Sequence, residues 1–541
     1  MPITTIGGVE IFRPSTDTEL KVRIQAESKL RNKYETGKYS DKDTINSFLQ
    51  DYFLFYDQML KALLPQISSI HLLDFVLHEY DQSCAIQRSK ELNHAENAYW
   101  SENGPFIRRA IKYLAECIVM LTPEMLPSAD SSDAKDILET CWICAEQLVD
   151  LSNRSTQTFV LFPDETTLEI LPEDNPVWND LYIQNYDRFI SYNERIKTDT
   201  SKRKDFIEKD LIYNNSDRLN EYVDPVFMEI MGMTFTEIRN FIATLAHCQT
   251  PDPDESRSPF ASFEELSKIL MNEHFISSDQ CMEIINGISL NKSNMLSEGR
   301  VVWKPKQEYR SYARFLFEVD HESTRYFLWS RGMVSEGLYA LLFNTLQKKV
   351  PPEWSDPRID RALGKYEQSS TSQFETIVVK QLNLKSIFAD RFKSQIGIGE
   401  TKLDIPKEIG DIDLIGYWEG EDLLIVGDAK LVKPTYEAAM HRDDIDKFIL
   451  NKKNYVNQIK RKTTWVIKNI QNIITALESV GSFPTTIKVK RIAPLIVTYY
   501  PSFASCLIQD VPCVALTELI SDITEHQSWP YSPVHEVGVN N

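Results

Sequence analysis

Four consecutive apolar residues, Leu423 to Val426, run directly into Gly427-Asp428-Ala429-Lys430. A segment that is apolar at every position predicts a strand buried on both faces in the middle of a sheet. Charges at the end of such a strand are costly to bury unless they are paired or hold a metal. Just upstream, Gly410-Asp411-Ile412-Asp413-Leu414 opens another strand. Side chains alternate along a strand, so Asp411 and Asp413 share one side while Ile412 and Leu414 take the other. By the same alternation Asp428 and Lys430 share a side, opposite Gly427 and Ala429. Folding the two strands into a hairpin brings Asp413, Asp428 and Lys430 together. Two carboxylates beside a lysine suit a hard, oxygen-liganded cation such as Mg²⁺, next to a group that activates water or stabilises charge.

The flanking sequence extends this pattern. Upstream, Phe374, Ile377, Val378 and Leu382 have the spacing of an amphipathic helix, with Glu375 beside the apolar stripe. A strand is expected over Ile387 to Ile396. Downstream, Lys447 to Leu477 reads as one long helix with Val456, Ile459, Val466, Ile470 and Leu477 on its buried side. Gln458, Arg461, Lys462 and Trp465 fall on another stripe of it. Ile492 to Tyr499 is a further strand, and Val514 to Thr524 a closing helix.

The resulting order is helix with Glu, strand, strand with Asp, strand with Asp-x-Lys, helix with Gln, strand. Over roughly residues 360 to 525 it resembles the PD-(D/E)XK superfamily of restriction-endonuclease-like enzymes. The resemblance implies an α/β fold with a mixed central sheet flanked by helices, and metal-dependent phosphodiester hydrolysis leaving a 5′-phosphate and a 3′-hydroxyl. It implies Asp413, Asp428 and the carbonyl of Ala429 as ligands of Mg²⁺, with Mn²⁺ able to substitute. Glu375 would complete the metal site directly or through water. Lys430 would orient the attacking water or stabilise charge on phosphorus, and Gln458 takes the place of the glutamine on the following helix. The usual Pro-Asp is Ile412-Asp413 here. Lys462 stands where helicase-associated members carry Tyr, which leaves the subfamily open.

The partner implied is DNA, although a net charge of −20 runs against binding phosphate. The distribution of charge answers part of that objection. No acidic residue occurs from Lys447 through Leu477, a stretch holding Lys452, Lys453, Lys460, Arg461 and Lys462. These five are the expected DNA-backbone contacts. Readings from other classes are a non-catalytic nucleic-acid-binding scaffold on a retained nuclease fold, and an RNA nuclease.

At 541 residues the chain is long enough for several domains. Three regions are expected: 1–205, mainly helical; 206–350, helical, with a winged helix as one arrangement; and 358–541, the nuclease-like domain. Val350-Pro351-Pro352-Glu353-Trp354-Ser355-Asp356-Pro357 reads as the linker before the last. No apolar run approaches the roughly 20 residues that cross a bilayer, so no membrane partner is expected. Eight scattered cysteines and no visible signal peptide suit the cytoplasm. Cys141-Trp142-Ile143-Cys144 lacks a second pair at zinc spacing and reads as core. The N-terminal helices are expected to select the substrate or a protein partner, as in mobile-element or phage-defence nucleases, and oligomerisation stays open.

Overall fold

The computed structural model describes residues 3–121, 131–162, 164–172, 176–206, 216–248, 257–273, 276–297, 310–321, 324–432, 435 and 438–537. They fall into two compact units. The first comprises 1–184 and 216–364, the second 185–215 and 365–541.

The first unit is mostly helical. Helical periodicity expected over Thr44 to Tyr80 becomes two helices, Lys42–Leu63 and Ile70–Arg88. Pro65 sits in the short 3-10 turn between them, and Ser69 caps the second by accepting from Leu72 N. Thr158 to Phe162 and Leu168 to Leu171 flank Pro163-Asp164-Glu165 in the sequence as hairpin strands would, but they do not pair among the described residues. Gln157–Leu161 continues the preceding helix as a π turn, while Thr166–Ile170 pairs with Gly37–Tyr39 and Trp178–Ile183. Cys141 and Cys144 are both fully buried, as core residues. Helices Phe235–His247, Phe263–Glu273 and Ser278–Ile288 follow, opened by capping boxes at Thr234, Ser262 and Ser277. The expected proline-rich linker is anchored by one core side chain, while Pro352, Ser355 and Pro357 are exposed. Trp354 is buried, donates from Nε1 to Glu283 O at 3.0 Å, and lies so close to Gly287 that a Cβ there would meet its Nε1 at 2.2 Å. Prolines mark a break in regular structure, but a buried tryptophan ties that break down.

The second unit is built on a mixed sheet. Phe388–Phe392, Ile412–Trp418 and Leu423–Lys430 are antiparallel neighbours; Arg491–Thr498 and Cys513–Ala515 then continue the sheet in parallel. The strand ending in Asp428 is therefore central, and Leu423 through Ala429 are all buried. A parallel neighbour needs a crossover. Here Ala438–Ile445, Tyr455–Lys468 and Ile470–Glu478 supply it. The long helix expected over Lys447 to Leu477 is interrupted. It enters through a π turn at Asp446–Leu450, restarts where Asn454 accepts from Asn457 N at 2.7 Å, and breaks again at Asn469. Asparagines bond their local backbone and so end helical runs. Leu424 and Val426, with Ile415, Ile492 and Ile496, share a core cluster with Ile459, Val466 and Ile473 of the crossover helices. That face of the sheet leads to Asp428 and Lys430, two and four residues beyond Val426.

A helix from earlier in the chain belongs to this unit. Asp187–Phe206 follows the strand Trp178–Ile183. Its Arg203 is buried, donates to Asp199 Oδ2 at 2.7 Å and to Tyr499 O at 2.6 Å, and stacks on Tyr500 at 4.0 Å. Removing one partner of a buried ion pair strands the other charge. Arg203→Met is therefore expected to cost about 3–5 kcal/mol in chemical denaturation of the full chain. Lys197→Ala, on the exposed side of the same helix, should stay within about 0.5 kcal/mol.

Candidate metal-dependent catalytic site

Gly410 has φ +75°, the left-handed turn that glycine favours, and it leads the chain into the strand bearing Asp413. In that strand Leu414 pairs with Gly427. Glycine is needed opposite, since a Cβ at 427 would meet Leu414 Cδ2 at 2.7 Å. One step along the hairpin, the Ala429 N–H donates to Asp413 Oδ2 at 3.2 Å. Lys430 Nζ lies 3.3 Å from the same Asp413 oxygen and 3.4 Å from Asp428 Oδ2. Asp413, Asp428 and Lys430 thus converge at one end of the sheet.

The electrostatics follow from burial. The Asp428 side chain is 0% exposed and that of Asp413 13%. Burial first, and then the neighbouring Asp428 charge, raise the Asp413 carboxyl above the ordinary aspartate range, with Lys430 and Lys462 pulling the other way. Burial disfavours the Lys430 ammonium, but Asp428 and Asp413 outweigh it, so this lysine holds its proton more firmly than usual.

The other expected residues separate into groups. Glu375, on the helix Pro357–Asn383, is raised by burial and then by the Asp413 charge, and it is ion-paired with Arg391. It stands within the field of the site with its carboxylate engaged elsewhere. Among the described residues, no three acidic, histidine or cysteine groups gather as a metal-holding cluster. Asp411 is exposed and outside the convergence. Gln458 turns its Nε2 to Lys453 O at 2.7 Å and is not brought to the acids. Lys452, Lys453, Lys460 and Arg461 are exposed, Lys460 pairing with Asp510 at 2.7 Å. His441 is buried between Tyr192 and Phe503, and burial lowers its imidazole to about 4.

Lys462 is the correction. Expected on the surface as a phosphate contact, it is 6% exposed and paired with Asp428 Oδ1. The stripe of the helix explains it: Ile459, Lys462, Thr463 and Val466 are its buried residues, and positions three and four apart share a face. Residue 462 had to face inward once Ile459 and Val466 did. Tyr455 was also missed; its ring centroid lies 5.1 Å from Lys430 Nζ.

Compared with protein families, curated proteins and solved structures, the chain finds no match.

Because Lys462 neutralises a buried carboxylate, Lys462→Met is expected to destabilise the protein by about 3–5 kcal/mol. Its exposed neighbour Arg461→Ala should change stability by no more than about 0.5 kcal/mol. Denaturant midpoints of the two variants check the contrast.

Proposed function

We propose that the second unit is a PD-(D/E)XK-type domain, and that the protein is a Mg²⁺-dependent deoxyribonuclease. The observation that carries this reading is Lys430 Nζ at the end of a central strand, 3.3 Å from Asp413 Oδ2 and 3.4 Å from Asp428 Oδ2. The sheet order supports it: an antiparallel acidic hairpin followed by a helical crossover to a parallel strand.

The residues present fit a divalent cation. Asp428 Oδ2 is buried and makes no hydrogen bond among the described residues, so it retains lone pairs for a metal. Asp413 and Asp428 would be the protein's direct ligands, with the carbonyl of Ala429 as the resemblance implies. Glu375, held by Arg391, fits a contact through water better than a direct bond. A bound cation supplies Lewis acidity to a phosphate oxygen and lowers the pKa of water. Lys430 places a firmly protonated ammonium where it can stabilise charge developing on phosphorus. The exposed Lys452, Lys453, Lys460 and Arg461 would contact the DNA backbone, and the helical first unit would select the substrate or a protein partner. No helix among the described residues is long and apolar enough to cross a membrane. All eight cysteines are free, in keeping with a cytoplasmic protein.

The test is incubation with supercoiled plasmid, linear duplex and single-stranded RNA, with and without Mg²⁺ or Mn²⁺. Cation-dependent cutting of DNA is expected, and Lys430→Ala, assayed at a temperature where circular dichroism shows it folded, should lower its rate by about 100-fold or more. Cutting of RNA alone would reassign the substrate, and binding without cutting would favour the scaffold.

DNA affinity should fall with salt. Changing Lys452, Lys453, Lys460 and Arg461 to Ala together should flatten the log–log slope by about 0.9 for each phosphate that is no longer neutralised. An unchanged slope would place the DNA elsewhere.

A further inference from the structure

The site holds a second lysine that the nuclease reading does not use. Lys462 and Lys430 both pair with Asp428, but in different ways. Lys462 takes Oδ1 from the crossover helix, between the buried Ile459 and Val466, and has 6% of its side chain exposed. Lys430 faces Oδ2 at 3.4 Å and also Asp413 Oδ2 at 3.3 Å, with 17% exposed. Each ammonium thus has its own carboxylate oxygen on Asp428. The oxygen facing Lys430 is the one without a hydrogen bond among the described residues.

This division has a consequence for a cation. Asp413 Oδ2 and Asp428 Oδ2 are the two oxygens that a shared metal would meet, and Lys430 already bridges them. An ammonium and a divalent cation held against the same pair of oxygens repel, and the low dielectric of a buried site strengthens that repulsion. Lys462 is engaged on the far oxygen and does not compete in this way. Its helix is packed into the sheet core, so its head group has little freedom to leave. Lys430 sits at the strand end, is more exposed, and has the Tyr455 ring 5.1 Å away as a second resting place for an ammonium.

Resting on the proposed metal site, we infer that the two lysines divide the work: Lys462 is a fixed positioning residue holding Asp428 by Oδ1, and Lys430 is a resident counter-cation that an entering divalent cation displaces from the two Oδ2 atoms. The fold then keeps its buried acids neutralised before the metal arrives. Metal entry releases an ammonium at the place where phosphate would be met. Lys462 holds the Asp428 carboxylate in one orientation throughout.

Amine labelling of the full-length wild-type protein tests this without turnover. The protein is reductively methylated for short times, with and without saturating Mn²⁺ or Ca²⁺, and lysines are read by mass spectrometry. Loss of the free Mn²⁺ paramagnetic resonance signal reports binding in the same samples. The expected result is a severalfold rise in Lys430 labelling on cation binding, with Lys462 protected in both states. Cation binding with Lys430 labelling unchanged or reduced would overturn this inference and leave the metal site standing. Lys462 becoming labelled while Lys430 stays protected would reverse the roles and also overturn it. No binding of Mn²⁺ would overturn the metal reading, and this inference with it.

Discussion

A fully buried carboxylate, Asp428, at the end of the central strand is the constraint around which the second unit is arranged. A charge in that position is tolerated only when it is neutralised. Its neutralisation enlists two elements, its own strand through Lys430 and the crossover helix through Lys462, while Asp413 on the neighbouring strand draws on the same Lys430. The sheet order, the crossover and the acidic hairpin therefore meet at one group. A sheet carrying leucine at 428 would pack without any of these obligations.

Much of this was legible in the primary structure, for identifiable reasons. The apolar run Leu423 to Val426 has no alternation, and that alone marks a central strand; the structure buries it on both faces. Period-two alternation then predicts that Asp413, Asp428 and Lys430 share a side, and they do. Ser262 and Ser277 each open a helix through a capping box, a local arrangement of a few residues that the sequence alone can show.

What escaped depended on tertiary contacts. Lys462 reads as surface by residue type, because lysine usually is exposed, although its spacing from Ile459 and Val466 points inward. Gln458 sits on the helix expected of it, but its side chain closes on the local backbone and leaves the acids alone. The segment 351–357 looked like a linker because prolines break regular structure, and nothing local reveals that Trp354 is buried against Gly287. Nor could any local signal show that the helix Asp187–Phe206 belongs with a sheet nearly two hundred residues later. That assignment rests on long-range bonds such as Arg203 to Tyr499 O and Arg195 to Glu518.

The central claim is that Asp413 and Asp428 jointly hold one divalent cation. Calorimetric titration of Mn²⁺ into the wild type, Asp413→Asn and Asp428→Asn tests it most directly, since it needs no substrate. The account predicts one main binding event in the wild type, weakened in both variants, because each amide lacks the charge that offsets the cation. Wild-type affinity in either folded variant would contradict it, and the meeting of the two strands would then be a structural ion-pair network and no metal site.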